Sequence, residues 1–188
     1  TLGIDYDLIK KNNYTVFSSG FGQVFRDTKD DKLPLSSTMQ DKRSDIIGRL
    51  EISPSENFKL NYNFSADNNF DTLNYNFVEA NIKVNNFITS FEFLEENNLV
   101  GSDSYFSNNI NYKFNKNNSL AYSTRRNRKT DLTEFYKLMY EYKNDCLVAA
   151  IEFNKDYYED RDIKPNEEIF FRLTLTPFTS INSPNFKK

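Results

Sequence analysis

The sequence predicts an all-β chain: an antiparallel, up-and-down transmembrane β-barrel wall of about eleven strands, a fragment of a larger barrel. Three observations predict it. The first is period-two alternation, plainest in 142–178. There Leu147, Ala149, Ile151 and Phe153 share one face, and Cys146, Val148, Ala150, Glu152 and Asn154 share the other. Past the charged loop 157–166, Ile169, Phe171, Leu173 and Leu175 line one face, and Phe170, Arg172, Thr174 and Thr176 the opposite one. The second is length: about ten residues per run is what a tilted strand needs to cross a bilayer. The third is composition. With 12 Tyr and 18 Phe against 5 Gly and 5 Pro, the chain suits strands. Its 38% hydrophobic share is low for a soluble core and tolerable for a wall with one polar face.

The elements follow in order. Leu2, Ile4, Tyr6 and Leu8 begin a strand that turns at 10–13. The next strand, 14–26, puts Phe17, Phe21 and Phe25 on one face and Ser18, Gly20 and Gly22 on the other. Small residues there admit a neighbouring backbone or a plug, or mark a bend in a curved wall. The segment 27–43 is the longest without a periodic pattern. A strand over 44–53, with Ile46, Gly48, Leu50 and Ile52 in phase, leads to a tight turn at 54–57. Phe58, Leu60, Tyr62, Phe64 and Ala66 then alternate with Lys59, Asn61, Asn63, Ser65 and Asp67. In 73–84 the apolar parity switches from Leu73, Tyr75 and Phe77 to Val78, Ala80, Ile82 and Val84, which predicts a bulge near Phe77 or Val78. Strands carrying Phe87 to Phe93, Phe106 to Phe114 (with Asn108 out of pattern), Leu120 to Thr124 and Tyr136 to Tyr142 complete the set before 142–178. The last of them is expected to stop at Thr176-Pro177-Phe178. The turns near 10–13, 54–57, 84–86, 115–118 and 143–144 are short; of the alternate connections, 27–43, 97–103 and 157–166 are long, and those near 68–71 and 128–131 are not. In an outer-membrane barrel the short side is periplasmic, and counting back from a last strand that ends there gives the same sides.

Charge and residue types exclude much. A net charge of −3 gives no basic field for nucleic acid. No apolar stretch approaches the roughly 18 residues of a transmembrane helix. No signal peptide opens the sequence, whose alternation from Thr1 reads as a chain starting inside or just before a strand. His is absent, so zinc and triad chemistries lack their commonest residue. No nucleophile elbow, phosphate loop or metal-ligand pair occurs. Hence no enzyme, metal or cofactor is expected. The carboxylates of 159–162 and Asp30-Asp31 lack the spacing of a cation loop.

Two features remain. The single Cys146 rules out an intrachain disulfide. It reads either as a small apolar filler or as a thiol at the periplasmic rim, bonded to a segment outside this chain. Arg125, Arg126, Arg128 and Lys129 form the densest basic cluster, at the outer rim by the topology above. They read as a solvated loop face or as contacts to a phosphate-bearing lipid headgroup.

The stretch SDIIGRLEISPSENFKLNYNFSAD and the tyrosine-rich run ending KLMYEYKNDCLVAAIEFNKDYYEDRDIKPNEEIFFRLTLTPF resemble the C-terminal barrel of the LPS-assembly outer-membrane protein family, the lipopolysaccharide translocon. The resemblance is specific over 44–67 and 132–178; the strands between match in pattern. It implies that 1–188 is the C-terminal part of a large barrel in the cell outer membrane, preceded by a periplasmic domain of jelly-roll type. The implied partners are lipopolysaccharide, an outer-membrane lipoprotein plug and a periplasmic lipopolysaccharide bridge protein. The lipid would leave through a lateral gate between the first and last strands, with Ile169, Phe171, Arg172, Leu173, Thr174, Leu175 and Pro177 on the last-strand side. Cys146 would be one of the cysteines tying the barrel to the periplasmic domain. Members often carry two adjacent cysteines there; Asp145 stands in place of one. Two other readings are a general porin or passive channel and a surface β-sheet adhesion protein.

Overall fold

Alternating sequence becomes alternating structure. The computed structural model describes residues 1–33, 38–97, 102–157, 165–175, 179–182 and 186–187. Those residues form strands, their connections and a single 3₁₀ turn at Thr38–Gln40. The strands are β1 (Leu2–Ile9), β2 (Thr15–Gln23), β3 (Ile46–Ser55), β4 (Phe58–Ala66), β5 (Leu73–Val84), β6 (Phe87–Glu96), β7 (Ser104–Lys113), β8 (Asn118–Asn127), β9 (Leu132–Lys143), β10 (Leu147–Asp156) and β11 (Asn166–Leu175). Two short segments follow, β12 (Thr179–Asn182) and β13 (Phe186–Lys187). From β1 to β12 each strand neighbours the next in sequence, an up-and-down antiparallel sheet; β1 has β2 as its one neighbour among the described strands. Connections alternate as the sequence predicted: 10–14, 56–57, 85–86, 114–117 and 144–146 on one side, 24–45, 67–72, 97–103, 128–131 and 157–165 on the other. In the two-residue turn 85–86, Asn85 adopts φ 52°, a left-handed conformation asparagine tolerates better than most residues.

By contacts the chain divides into two units, Thr1–Ile82 with Phe91–Tyr105, and Lys83–Ser90 with Phe106–Lys188. In the first, register carries the apolar parity from strand to strand. Leu8, Phe17, Ile52, Leu60 and Ala80 form one cross-strand row, and Tyr6, Ser19, Leu50, Tyr62 and Val78 the next. Gly48 lies in register between Phe21 and Phe64, whose ring centroids are 6.1 Å apart. The Phe64 ring occupies the space a Cβ on Gly48 would need.

The bulge in β5 is not where alternation put it. Tyr75 to Ile82 pair with β4 without interruption, and the register slips between Ser65 and Ala66, which face Tyr75 and Leu73. Asn74 is therefore the extra residue. Its amide donates to the buried Asp45 carboxylate at 2.7 Å, and Ser65 Oγ donates to the same carboxylate at 2.9 Å. Leu73 thus returns to the apolar face, while Tyr75 and Phe77 stand on the polar one. Residues 24–30 and 40–44 are also more ordered than their composition suggested. Ser44 N donates to Val24 O, Arg26 N to Lys42 O and Asp30 N to Gln40 O, and Phe25 bridges Arg43. This prolongs the β2–β3 hairpin as an irregular ladder.

In the second unit the predicted alternation holds over 147–156 and 166–175. Leu147 faces Leu175, Ala149 faces Leu173, Ile151 faces Phe171 and Phe153 faces Ile169, while Ala150 faces Arg172 and Glu152 faces Phe170. Asn108, out of pattern in the sequence, donates its amide to Thr89 Oγ1 and Ser90 O. The expectation that β11 ends the sheet is corrected. Arg172 to Leu175 pair on their other side with β12, and Glu168 and Ile169 with β13. The two short segments run in one direction along one edge, with a one-residue slip between them. Their sequence lacks an apolar alternation long enough to announce a strand.

Candidate functional site

The polar face is where charge collects, and in each unit the register decides which charges meet. In the first unit Arg49 reaches Asp5 at 2.9 Å, Lys59 reaches Glu51 at 3.0 Å, and Glu79 accepts from Asn61 at 3.0 Å and Asn81 at 2.9 Å. Gly20 sits in register between Asp5 and Arg49. A Cβ there would lie 2.4 Å from Asp5 Oδ1 and 2.8 Å from Arg49 Nε. Gly20 therefore makes room for an ion pair that crosses above its strand. A hollow of about 400 Å³ borders these residues, with Gly22, Ile47, Asn63 and Tyr75 in its wall.

In the second unit the centre is Glu152, mid-strand on β10. Its carboxylate is 13% exposed, receives Lys137 at 2.7 Å and the Asn154 amide at 3.0 Å, and has Arg172 at 3.8 Å. Arg172 lies opposite the buried Ala150, 4.0 Å from the Met139 sulfur, and is half exposed. Of the residues predicted at a gate, Ile169, Phe171, Leu173 and Leu175 share the apolar face of β11, and Arg172 and Thr174 the polar face. Pro177 lies outside the described residues. Because β12 and β13 pair along β11, its outer edge is occupied.

The rim residues fall where the turns place them. Arg125 ends β8 beside Glu134, 2.7 Å away, and Arg126 pairs with Asp131. Arg128 and Lys129 occupy the turn 128–131 on the side of the longer loops. Arg125 and Arg126 are thus paired to local carboxylates. Cys146 is an exposed free thiol in the turn 144–146, on the opposite side. Asn144 Oδ1 accepts from the backbone of both Cys146 and Leu147 and fixes that turn. Of the carboxylates weighed for a cation, those of 159–162 lie outside the described residues, and Asp30 receives Arg26 at 3.5 Å. Asp41 hydrogen-bonds the Lys29 ammonium and raises it above the ordinary amine range. Among the described residues no group of three or more His, Cys, Asp or Glu side chains is arranged to hold a metal.

The alternation marked Glu152 and Arg172 as polar-face residues but did not reveal that Lys137 joins them. Lys137 is fifteen positions upstream of Glu152, and only the β9–β10 register, which sets Lys137 opposite Asn154, brings it alongside. What the two faces offer chemically, within each unit, is a contrast: a charged, ion-paired surface on one side and an apolar surface on the other. No protein-family model matches the chain, and a search of curated proteins finds no match.

Proposed function

We propose that this chain is a section of the wall of an outer-membrane β-barrel that assembles lipopolysaccharide into the outer leaflet, its apolar face toward lipid and its polar face toward the lumen. One observation carries the membrane reading. Among the described residues no second layer covers the apolar face. Among the described residues the buried hydrophobic side chains are Ala66 and Ala150, while Leu2, Ile4, Phe21, Ile151, Phe171 and Leu175 are each more than 40% exposed. In water such a face is a large uncovered apolar patch; in lipid it is solvated. Strand length agrees: ten residues, as in β3, β8, β10 and β11, rise about 3.4 Å each and, tilted by about 40°, cover about 26 Å of membrane normal.

The lipopolysaccharide reading rests on the resemblance over 44–67 and 132–178, with the lipoprotein plug and the periplasmic bridge as its partners. A charged lumen suits a sugar-phosphate headgroup, which needs hydrogen bonds and counter-charges along its path. A gate seam at β11 would require 179–182 and 186–187 to leave its edge.

The test uses photo-reactive residues in the gene product in its native membrane. At Phe171 and Leu173 they should crosslink phospholipid acyl chains; at Arg172 and Thr174 they should crosslink lipopolysaccharide. Crosslinks to soluble protein from the apolar positions would refute the membrane reading. Lumen positions that never capture lipopolysaccharide, in cells whose small-solute uptake depends on this protein, would make it a porin. In addition, Leu173→Arg should cost about 2–4 kcal/mol if the residue lies near the midplane.

A further inference from the structure

We infer that the hollow at the short-turn end of β7, β8 and β9 is a binding site for a phosphate-bearing anion. The hollow measures about 710 Å³. Three lysines line it, Lys113, Lys116 and Lys143, against a single acidic residue, Glu141. No salt bridge to any of the three lysines occurs among the described residues. By contrast Lys137 is matched by Glu152 and Arg49 by Asp5. Here three lysines stand against one glutamate, a formal net of +2.

The floor of the site is fixed before any ligand arrives. Asn117 clasps the end of β9 from both sides: Lys143 N donates to Asn117 O at 2.7 Å, and the Asn117 amide donates to Lys143 O at 2.7 Å. Lys113 N donates to Asn86 O at 2.9 Å, which ties in the turn 85–86. Asn115 Oδ1 accepts from the backbone of Asn117 and Asn118, closing the β7–β8 turn. Three turns distant in sequence are thereby locked together, and their lysines are held around one volume. Preorganisation of this kind lowers the ordering cost of binding. Ser119 and Glu141 face each other across β8 and β9, and Lys143 has the parity of Glu141, so the hollow opens on the polar face. A phosphate group, with several acceptor oxygens and up to two charges, matches three mobile ammonium donors. The inference rests on this geometry and not on the membrane reading.

The experiment compares wild type with Lys113→Gln/Lys116→Gln/Lys143→Gln and with Glu141→Gln, each as the gene product in neutral, phosphate-free detergent. Pyrophosphate is titrated calorimetrically at low ionic strength. Binding to vesicles is measured with phosphatidic acid and with phosphatidylcholine alone. Wild type should show saturable binding that weakens with salt. Each lysine should contribute up to about fivefold, so the triple variant loses binding, and Glu141→Gln should tighten it by a similar factor. Glu141→Gln is the safeguard, because tighter binding cannot come from damaged folding. A pyrophosphate response without vesicle preference assigns a soluble ligand; the reverse assigns a lipid headgroup. If neither probe distinguishes wild type from the triple variant, or Glu141→Gln fails to strengthen binding, the inference is overturned.

Discussion

Replacing Gly48 by alanine tests the packing of the apolar face at its tightest point. The glycine is buried, between Phe21 on β2 and Phe64 on β4. A Cβ built there would stand 2.2 Å from Phe64 Cε1 and 2.4 Å from Cζ, well inside contact distance. The backbone has no reason to yield, since its ladder continues on both sides; the ring has to swing away. That motion disturbs the tilted contact with Phe21 and the stacked contact with Tyr62, whose centroid is 5.6 Å distant. Each aromatic contact is worth about 0.5–1.5 kcal/mol, and an off-rotamer ring costs a similar amount. Against this, alanine gains about 0.5–1 kcal/mol over glycine in a strand. The net expectation is destabilisation by about 1–2 kcal/mol. Urea unfolding followed by tyrosine fluorescence measures it, and a double-mutant cycle assigns it. With Phe64→Leu in place, Gly48→Ala should cost nothing or stabilise. Equal cost in both backgrounds would show that the ring over Gly48 is not the reason for the glycine.

Two further outcomes follow from local geometry. Phe70 holds φ 60° in the β4–β5 turn with its ring 67% exposed, so Phe70→Asn should stabilise by about 0.5–1 kcal/mol in the same urea assay; no change would mean that the ring has contacts offsetting its strain. Glu152→Gln removes the shared partner of Lys137 and Arg172 and should cost about 1 kcal/mol at low salt and less at high salt; a loss independent of salt would point to packing rather than charge.

What the sequence disclosed, and what it withheld, follows from the range of the interactions. Alternation is a property of one strand, and the faces of β10 and β11 were legible because each run carries its own pattern of five or so apolar residues. The parity switch in β5 was legible too, but its cause was not. Local pattern alone suggested a bulge between Phe77 and Val78. The structure tolerates Tyr75 and Phe77 on the polar face and slips opposite Ala66 instead, because Asp45, two strands away, holds Asn74 and Ser65 there. Gly20 was recognised as a gap without its filling, since the ion pair above it joins β1 to β3. The lysine hollow was invisible for the same reason: its residues come from turns that only register assembles.

The tail changes one argument about sidedness and leaves another intact. Had β11 been the last strand, its end would have marked the periplasmic side. With β12 running back along β11, chain direction no longer supplies that mark. Loop length still gives a pattern: 24–45, 67–72, 97–103 and 157–165 are each longer than the connections before and after them, while 128–131 equals 114–117 in length. Brief turns hold a barrel rim close to the bilayer, whereas extended loops project from it. Two features sit on the brief-turn side: the exposed Cys146 thiol in 144–146, and the three lysines around 114–117. Asn117 clasps Lys143, the residue just before the Cys146 turn, so the thiol and the anion site share one rigid rim. A periplasmic segment bonded through Cys146 would therefore lie beside the anion site and bear on access to it.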